Sequence, residues 1–156
     1  MGTKGPGWVL DTCVLVAASD GSYGYACLTA SALLEAVAKA CCLALDHEGE
    51  IRREYFKNIR PQSHAAVWFA HMSQRMRLAF FTNRVTRRHA TNLRQLSFDP
   101  SDWKFVGVAS RTGCRVLVTE DPDYWQPPVS QYLQGQMALS LAHIPDALAL
   151  VQQCTV

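Results

Sequence analysis

The chain has 156 residues, 49% of them hydrophobic, which is enough apolar sequence for one domain with a core that folds alone. No uncharged apolar run reaches the roughly 18 residues of a membrane-spanning helix, and the first residues lack the apolar segment of a secretory signal. We therefore expect a single cytoplasmic domain over residues 1–156 that has no membrane partner.

The net charge of +2 hides an uneven distribution of charged residues. The stretch from Tyr55 to Phe98 carries eight of the 15 lysines and arginines and none of the 13 aspartates and glutamates. This asymmetry favours a phosphate-bearing partner held beside an acidic site, although a solvated helical face is the alternative. The basic residues that we expect to contact phosphates are Arg84, Arg87, Arg88 and Arg94.

The cysteines and histidines do not form a pattern typical of a zinc site. The six cysteines contain no Cys-x-x-Cys pair and have no histidine partner at metal-binding spacing. We interpret them as buried thiols in a reducing compartment. His64 and His71 have no acid or cysteine beside them and are interpreted as ordinary packed or surface imidazoles.

The first predicted strand is the apolar run that starts at Trp8 and closes at Asp11. The hydroxyl of Thr12 can hold the Asp11 carboxylate or accept a water. The residues from Val14 to Ala18 stay apolar and either continue into a helix or pack under a loop. The composition from Asp20 to Gly24 predicts a turn.

A second apolar run, Cys42 to Leu45, ends at Asp46 and repeats the arrangement at Asp11. The basic segment from Phe80 to Gln95 is irregular and predicts a loop or a short helix that contacts phosphates. Apolar periodicity predicts helices over three segments: Leu28 to Cys41, Glu50 to Ile59 and Ser63 to Met76.

The stretch from Ser101 to Trp125 predicts a helix, a turn, a strand and an acidic loop. Asp102 opens the helix, on the face that buries Phe105, Val106 and Ala109. The strand Arg115 to Val118 is followed directly by the acids of Thr119 to Asp123.

The last third of the chain is predicted more coarsely. Gln126 to Pro128 should break the chain, Met137 to Leu141 is predicted to be a final strand, and Pro145 to Gln153 a final helix. The alternation of strands and helices predicts a three-layer α/β/α domain with a mainly parallel sheet.

Acids then fall at the carboxyl ends of the strands or open the neighbouring helices, at one edge of the sheet. They are Asp11, Asp46 or the helix after it, Asp102, Asp121 and Asp123. Each acid by itself has an ordinary explanation as a cap or a turn residue. Together, such carboxylates would repel one another and raise their pKa values unless a cation were bound between them.

Four segments carry a resemblance to a known family: VLDTCVLVAA, DHEGEIRREY, FDPSDWKFVGVA and VLVTEDPDYW. Their order resembles the PIN-domain nucleases, and most closely a bacterial subgroup with DxxGxIxxEY and FDPSDRKFVAVA segments. The resemblance runs from about Val9 to the last helix and implies a metal-dependent ribonuclease. Two positions differ, since Cys13 stands where the subgroup usually has Asn and Trp103 where it has Arg. Matched residue by residue, the site acids are Asp11, Glu54, Asp102 and Asp121, with Asp123 as a further acid.

These assignments lead us to expect an endoribonuclease that uses Mg²⁺ or Mn²⁺. Asp11 and Asp121 would bind the metal directly or through water, and Asp102 and Glu54 would complete the cage or orient the water. We choose Glu54 over Glu48 and Glu50 because it flanks the buried stripe of its helix, with Asn58 one turn on to hydrogen-bond it. The metal ligands we expect are Asp11, Asp102, Asp121 and Asp123, supported by Thr12, Asp46 and Thr119.

The resemblance also implies partners. The substrate would be RNA, and such nucleases are often the toxin of a toxin-antitoxin pair, so an antitoxin protein and a second copy of the chain are further candidate partners. Two alternatives stay open. One is a catalytically silent PIN-like module that binds RNA or protein; the other is an aspartate-based phosphatase, which needs a second acid where this chain has Cys13.

Overall fold

A computed structural model describes residues 5–19 and 24–154 of the chain. Most of the turn predicted from Asp20 to Gly24 lies outside the described residues. Within them, five strands form one parallel sheet in the order β3-β2-β1-β4-β5. The strands are β1 (Gly7–Leu10), β2 (Cys42–Asp46), β3 (Leu78–Phe81), β4 (Val116–Val118) and β5 (Ser140–Ala142).

Helices cover both faces of this sheet, so the predicted three-layer α/β/α fold is confirmed. Helices α1, α2, α4 and α9 pack against one another, while α6 packs against β1, β2 and β4 on the other face. No helix in the described ranges is long and apolar enough to cross a membrane. The helices are α1 (Thr12–Ser19), α2 (Tyr25–Ala40), α3 (Glu50–Asn58), α4 (His64–Gln74), α5 (Arg87–Gln95), α6 (Trp103–Ala109), α7 (Pro122–Trp125), α8 (Pro127–Gly135) and α9 (Ile144–Cys154).

The central strands are apolar throughout because both faces of the sheet are covered. Every residue of β2 is buried, including the terminal Asp46. Pairing between β1 and β4 matches Leu10 with Val118 and continues one residue further, where the Asp11 N–H donates to the Val118 carbonyl at 2.9 Å. Asp11 and the residue after Val118 therefore lie side by side at the carboxyl edge of the sheet.

The basic segment from Phe80 to Gln95 is more regular than its composition predicts. It holds the end of β3 and the whole of α5, which Thr86 caps by accepting a hydrogen bond from the His89 N–H at 3.4 Å. The prediction missed β3 because its apolar run, Leu78–Phe81, has only four residues and lies between basic residues. The strand forms the edge of the sheet, where Phe80 stays exposed.

Two other predictions about elements need correction. The break predicted at Gln126 to Pro128 is confined to Gln126, whose non-helical backbone separates α7 from α8. Pro127 and Pro128 belong to the first turn of α8, where a missing N–H costs no helical hydrogen bond. The final strand is β5, which lies later than the predicted Met137 to Leu141, since the buried Met137 and Leu139 bond back to the end of α8. The apolar residues after Thr12 form the helix α1 rather than a packed loop.

Two contacts fix the helices that carry the acids. The Tyr55 hydroxyl, fully buried, donates to the Leu10 carbonyl at 2.5 Å and ties α3 to the end of β1. Gly107 of α6 touches the loop after β3 so closely that a Cβ there would lie 2.0 Å from the Asn83 carbonyl oxygen. Only a residue without a side chain fits this approach.

Candidate metal centre

The site is built around the ends of β1 and β4. Asp11 is 5% exposed, and its Oδ2 accepts a hydrogen bond from the Thr119 hydroxyl at 2.7 Å. The same hydroxyl oxygen accepts from the Asp121 N–H at 3.0 Å. Thr119 thus joins the Asp11 carboxylate to the chain that leads into Asp121.

The short helix α7 brings Asp121 and Asp123 to the third acid, Asp102. Asp121 caps the start of this helix, because its carboxylate accepts from the Asp123 N–H at 3.0 Å. Tyr124 is buried, packs edge-on against Phe98 with ring centroids 4.9 Å apart, and donates to the Asp102 carbonyl at 3.4 Å. The buried aromatic ring therefore docks α7 beside the start of α6.

Asp102 is left without a capping role. The preceding Asp99 takes that role by accepting from the Ser101 N–H at 2.9 Å, as an ordinary cap would. No donor among the described residues reaches the Asp102 carboxylate. This acid is therefore half-buried with its charge uncompensated by hydrogen bonds.

Three carboxylates meet here, because ligand oxygens of Asp102, Asp121 and Asp123 all lie within 4.8 Å of one another. Burial, then the nearby charges of Asp11 and Asp121, raises the pKa of Asp102 to about 7. The pKa of Asp11 is raised as well, mainly by burial, while the bond from Thr119 opposes the rise. The charges of Asp11 and Asp121 therefore act on Asp102, and Asp123 lies beside them.

The donor set fits a hard divalent cation. Mg²⁺ and Mn²⁺ take carboxylate oxygens, and an octahedral Mg²⁺ separates opposite ligands by about 4.2 Å, so small movements would bring these three aspartates onto one ion. Asp123 is exposed, which leaves this side of the group open to solvent. No histidine or cysteine belongs to this group of three, so the arrangement does not fit a zinc centre.

Glu54 lies beside this group rather than within it. Its Oε2 accepts a hydrogen bond from the Thr12 hydroxyl, and its Oε1 forms an ion pair with the Lys104 ammonium at 2.9 Å. The Thr12 hydroxyl therefore bonds Glu54, whereas we expected it to hold the Asp11 carboxylate or accept a water. The Asn58 amide donates to the backbone carbonyl of Glu54 at 2.8 Å, not to the carboxylate as expected.

Asp46 serves the structure of α3. Its two carboxylate oxygens accept the first N–H groups of that helix, from Glu50 at 2.9 Å and from Ile51 at 3.0 Å. The Asn83 amide adds a third hydrogen bond at 2.8 Å. These donors compensate the Asp46 charge, so its support of the site is indirect and consists in fixing the helix that carries Glu54.

Cys13, the residue that replaces the usual Asn, contacts the first acid. Its thiol donates weakly to Asp11 Oδ2 at 3.5 Å and accepts from the Glu120 N–H at 3.4 Å. Burial, with the neighbouring Asp11 charge, raises the pKa of the Cys13 thiol to about 12. The side chain is therefore a neutral donor that helps to orient the carboxylate.

The predicted phosphate contacts divide into two kinds. Arg84, Arg87 and Arg88 are exposed in the loop after β3 and in the first turn of α5. Arg94 instead places its guanidinium over the Trp103 ring, 5.2 Å from the centroid. Trp103, the second position that differs from the subgroup, thus holds an arginine close to the helix that Asp102 opens.

No protein-family model matches this chain, and no curated protein matches it. The resemblance to PIN-domain nucleases therefore depends on the motif residues themselves, and the functional conclusion depends on the geometry of the site.

Two residues of this region escaped the sequence analysis. Lys104 reaches the acidic site from α6, and Asn83 bonds Asp46 from the loop after β3. Lys104 could have been found as the basic residue that follows Asp102 by two positions, outside the basic stretch. Nothing in the local sequence distinguishes Asn83 from other polar loop residues.

Proposed function

We propose that this protein is a PIN-like endoribonuclease that hydrolyses RNA phosphodiester bonds with Mg²⁺ or Mn²⁺. The observation that carries the proposal is the meeting of the Asp102, Asp121 and Asp123 carboxylates next to the buried Asp11. Burial and neighbouring carboxylates disfavour the charged forms of Asp11 and Asp102, and a cation bound among the acids would relieve that cost. This arrangement supports a metal centre better than a set of helix caps.

The roles of the side chains follow from their positions. Asp102, Asp121 and Asp123 would hold the cation, which when bound supplies a Lewis acid for the phosphate and a water of lowered pKa. Asp11, kept in one orientation by Thr119 and Cys13, would accept a hydrogen bond from a water at the site. The exposed side at Asp123 is the direction from which a phosphodiester can approach.

The basic residues after β3 support a nucleic-acid substrate. Because the sheet is parallel, the loop that follows β3 leaves the same carboxyl edge as the loops that carry Asp11 and Asp121. Arg84, Arg87 and Arg88 are therefore displayed from the edge that holds the acids, where they would position an RNA backbone. As part of the same proposal, the protein acts in the cytoplasm as the toxin of a toxin-antitoxin pair.

A cleavage assay tests this function. Purified protein is incubated with structured and unstructured RNAs in Mg²⁺, in Mn²⁺ and in chelator, beside Asp11→Asn, Asp121→Asn and the control Asp146→Asn. Asp146 is an exposed acid of α9. We expect metal-dependent cleavage that both site variants lose by about a thousandfold or more and that the control keeps.

The other outcomes are equally informative. Cleavage in chelator, or wild-type turnover by both site variants, would contradict the metal-nuclease proposal. RNA binding without cleavage in either metal would instead identify a catalytically silent PIN-like module.

A further inference from the structure

Lys104 is a nearly buried cation within the acidic site, and the proposed reaction has so far given it no role. We propose that its ammonium binds a non-bridging oxygen of the RNA phosphate at the site, and that Glu54 is the positioning residue that holds it there. This inference rests on the proposed nuclease function.

The ammonium is held in place by the protein. It lies 2.9 Å from Glu54 Oε1, it donates to the Ser101 carbonyl, and the side chain is only 10% exposed. It also lies 5.1 Å from the centroid of the Phe105 ring. An ammonium has three N–H donors, and the described residues supply two hydrogen-bond acceptors for them. One donor is left for a ligand.

The negative charge of the site explains why an N–H donor of Lys104 would be useful for binding an anionic substrate. Asp11, Asp102, Asp121 and Asp123 present negative charge to a phosphodiester that is itself an anion. Lys104 is close enough to Asp102 to oppose the rise in the pKa of that acid. A cation fixed beside the carboxylates reduces the electrostatic repulsion between them and an incoming phosphate. Its hydrogen bond to a phosphate oxygen becomes stronger as negative charge develops on that oxygen during the reaction.

The surroundings of Glu54 explain why it is in this position. Thr12 occupies one carboxylate oxygen and Lys104 the other, so both are engaged within the protein. The next residue, Tyr55, anchors α3 to Leu10 at the end of β1. Glu54 thus connects Thr12 to Lys104, whereas we expected from the family resemblance that it would complete the metal cage or orient the water.

A simpler role for Lys104 would be to neutralise Glu54 for the sake of the fold. The two roles differ in a double variant. If Lys104 only neutralises Glu54, then removing both charges in Lys104→Met/Glu54→Gln restores activity that Lys104→Met has lost. If Lys104 binds the phosphate, the double variant stays as slow as the single one.

The experiment compares single-turnover cleavage of RNA in Mn²⁺ with Mn²⁺ affinity measured by titration calorimetry without RNA. The variants are Lys104→Met, Lys104→Arg, Glu54→Gln and the double variant, with Lys39→Met, an exposed lysine of α2, as control. We expect Lys104→Met to cleave roughly 100-fold more slowly, Lys104→Arg to recover part of the rate, and the control to match wild type. Mn²⁺ affinity should not weaken in any of them. Thermal melting of each variant checks the fold, and Lys104→Arg keeps the test valid if Lys104→Met is unstable.

Three results would overturn the inference. Wild-type cleavage by Lys104→Met, or recovery in the double variant, would leave the nuclease function standing and remove the role of Lys104. Loss of Mn²⁺ binding in Glu54→Gln would make Glu54 a metal ligand and not a positioning residue. Absence of cleavage by the unaltered protein would overturn the proposed function, and this inference with it.

Discussion

Acids at two neighbouring places on one edge of the sheet have opposite surroundings. At the end of β2, the Asp46 carboxylate accepts hydrogen bonds from two backbone N–H groups and from Asn83. At the ends of β1 and β4, Asp102 receives no donor from the described residues and lies against other acids. An acid whose hydrogen bonds are satisfied stabilises the fold, while an acid such as Asp102, which lies against other acids without a donor, favours a bound cation.

Glu48 follows the pattern of Asp46. Its carboxylate accepts from the Thr82 hydroxyl at 2.8 Å and from the Asn83 N–H at 3.1 Å, and so joins the loops after β2 and β3. For Asp46, Glu48 and Asp102, the donors around the carboxylate separate the structural acids from the candidate ligand.

The largest expected effect is on metal binding and cleavage. Asp102→Asn removes one of the three ligand carboxylates and should lower the cleavage rate by about a thousandfold and weaken Mn²⁺ binding. Asp46→Asn should keep Mn²⁺ affinity near wild type, because its carboxylate faces the start of α3. Titration calorimetry with Mn²⁺ measures the affinity; equal losses in the two variants would show that the two groups of acids are not distinct.

For the free energy of unfolding we expect the reverse order: substitution of Asp46 should have a larger effect than substitution of Asp102. Asp46→Ala leaves two helix N–H groups and the Asn83 amide without their acceptor, and we expect the free energy of unfolding to fall by about 2–3 kcal/mol. Asp102→Asn should cause no such fall. Urea denaturation measured in chelator compares the two variants, with Asp146→Ala as an exposed control, and a neutral Asp46→Ala would contradict the structural role.

The pH dependence of stability gives a smaller effect. Asp102 has a pKa of about 7 in the folded protein against the ordinary 3.8, so the folded state holds this proton more tightly than the unfolded chain does. Its contribution to stability without metal is therefore lost as pH rises from about 4 to about 7.

Asp102→Asn removes this loss, so its advantage in melting temperature over wild type should be small at pH 4.5 and reach a few degrees at pH 8. Melting in chelator at the two pH values measures it. If the difference in melting temperature between Asp102→Asn and wild type does not grow with pH, then burial and the neighbouring acids do not destabilise the charged form of Asp102.

The smallest expected effect is on RNA binding by the exposed arginines that follow β3. Neutralising Arg84, Arg87 and Arg88 to Gln should weaken RNA binding across sequences and reduce the salt dependence of binding, by about 0.7 in the logarithmic slope for each phosphate that an arginine no longer neutralises. Filter binding at several salt concentrations, with Arg53→Gln on the exposed face of α3 as control, measures the slope. An unchanged slope would make these arginines a solvated face.

Much of the fold was determined by local sequence. Apolar runs that end at Asp11 and Asp46, and the helix that Asp102 precedes, follow from short-range periodicity, and the predicted α/β/α fold is confirmed. The prediction failed at β3, an apolar run of only four residues at the sheet edge, and it did not foresee α8, which begins at Pro127 directly after the break at Gln126.

Only the tertiary structure decided which acids meet and which are satisfied. Thr119 lies 108 positions from the Asp11 that it bonds, Asn83 lies 37 positions from Asp46, and Thr12 lies 42 positions from Glu54. A hydrogen-bond donor compensates a carboxylate only when packing brings the two within about 3 Å, and the spacing of residues along the chain carries no record of that distance. The sequence therefore determined the position of each carboxylate along the chain. The packing of α3, α6 and α7 decided that Asp46 is surrounded by donors, while Asp102 has none and lies beside Asp121 and Asp123.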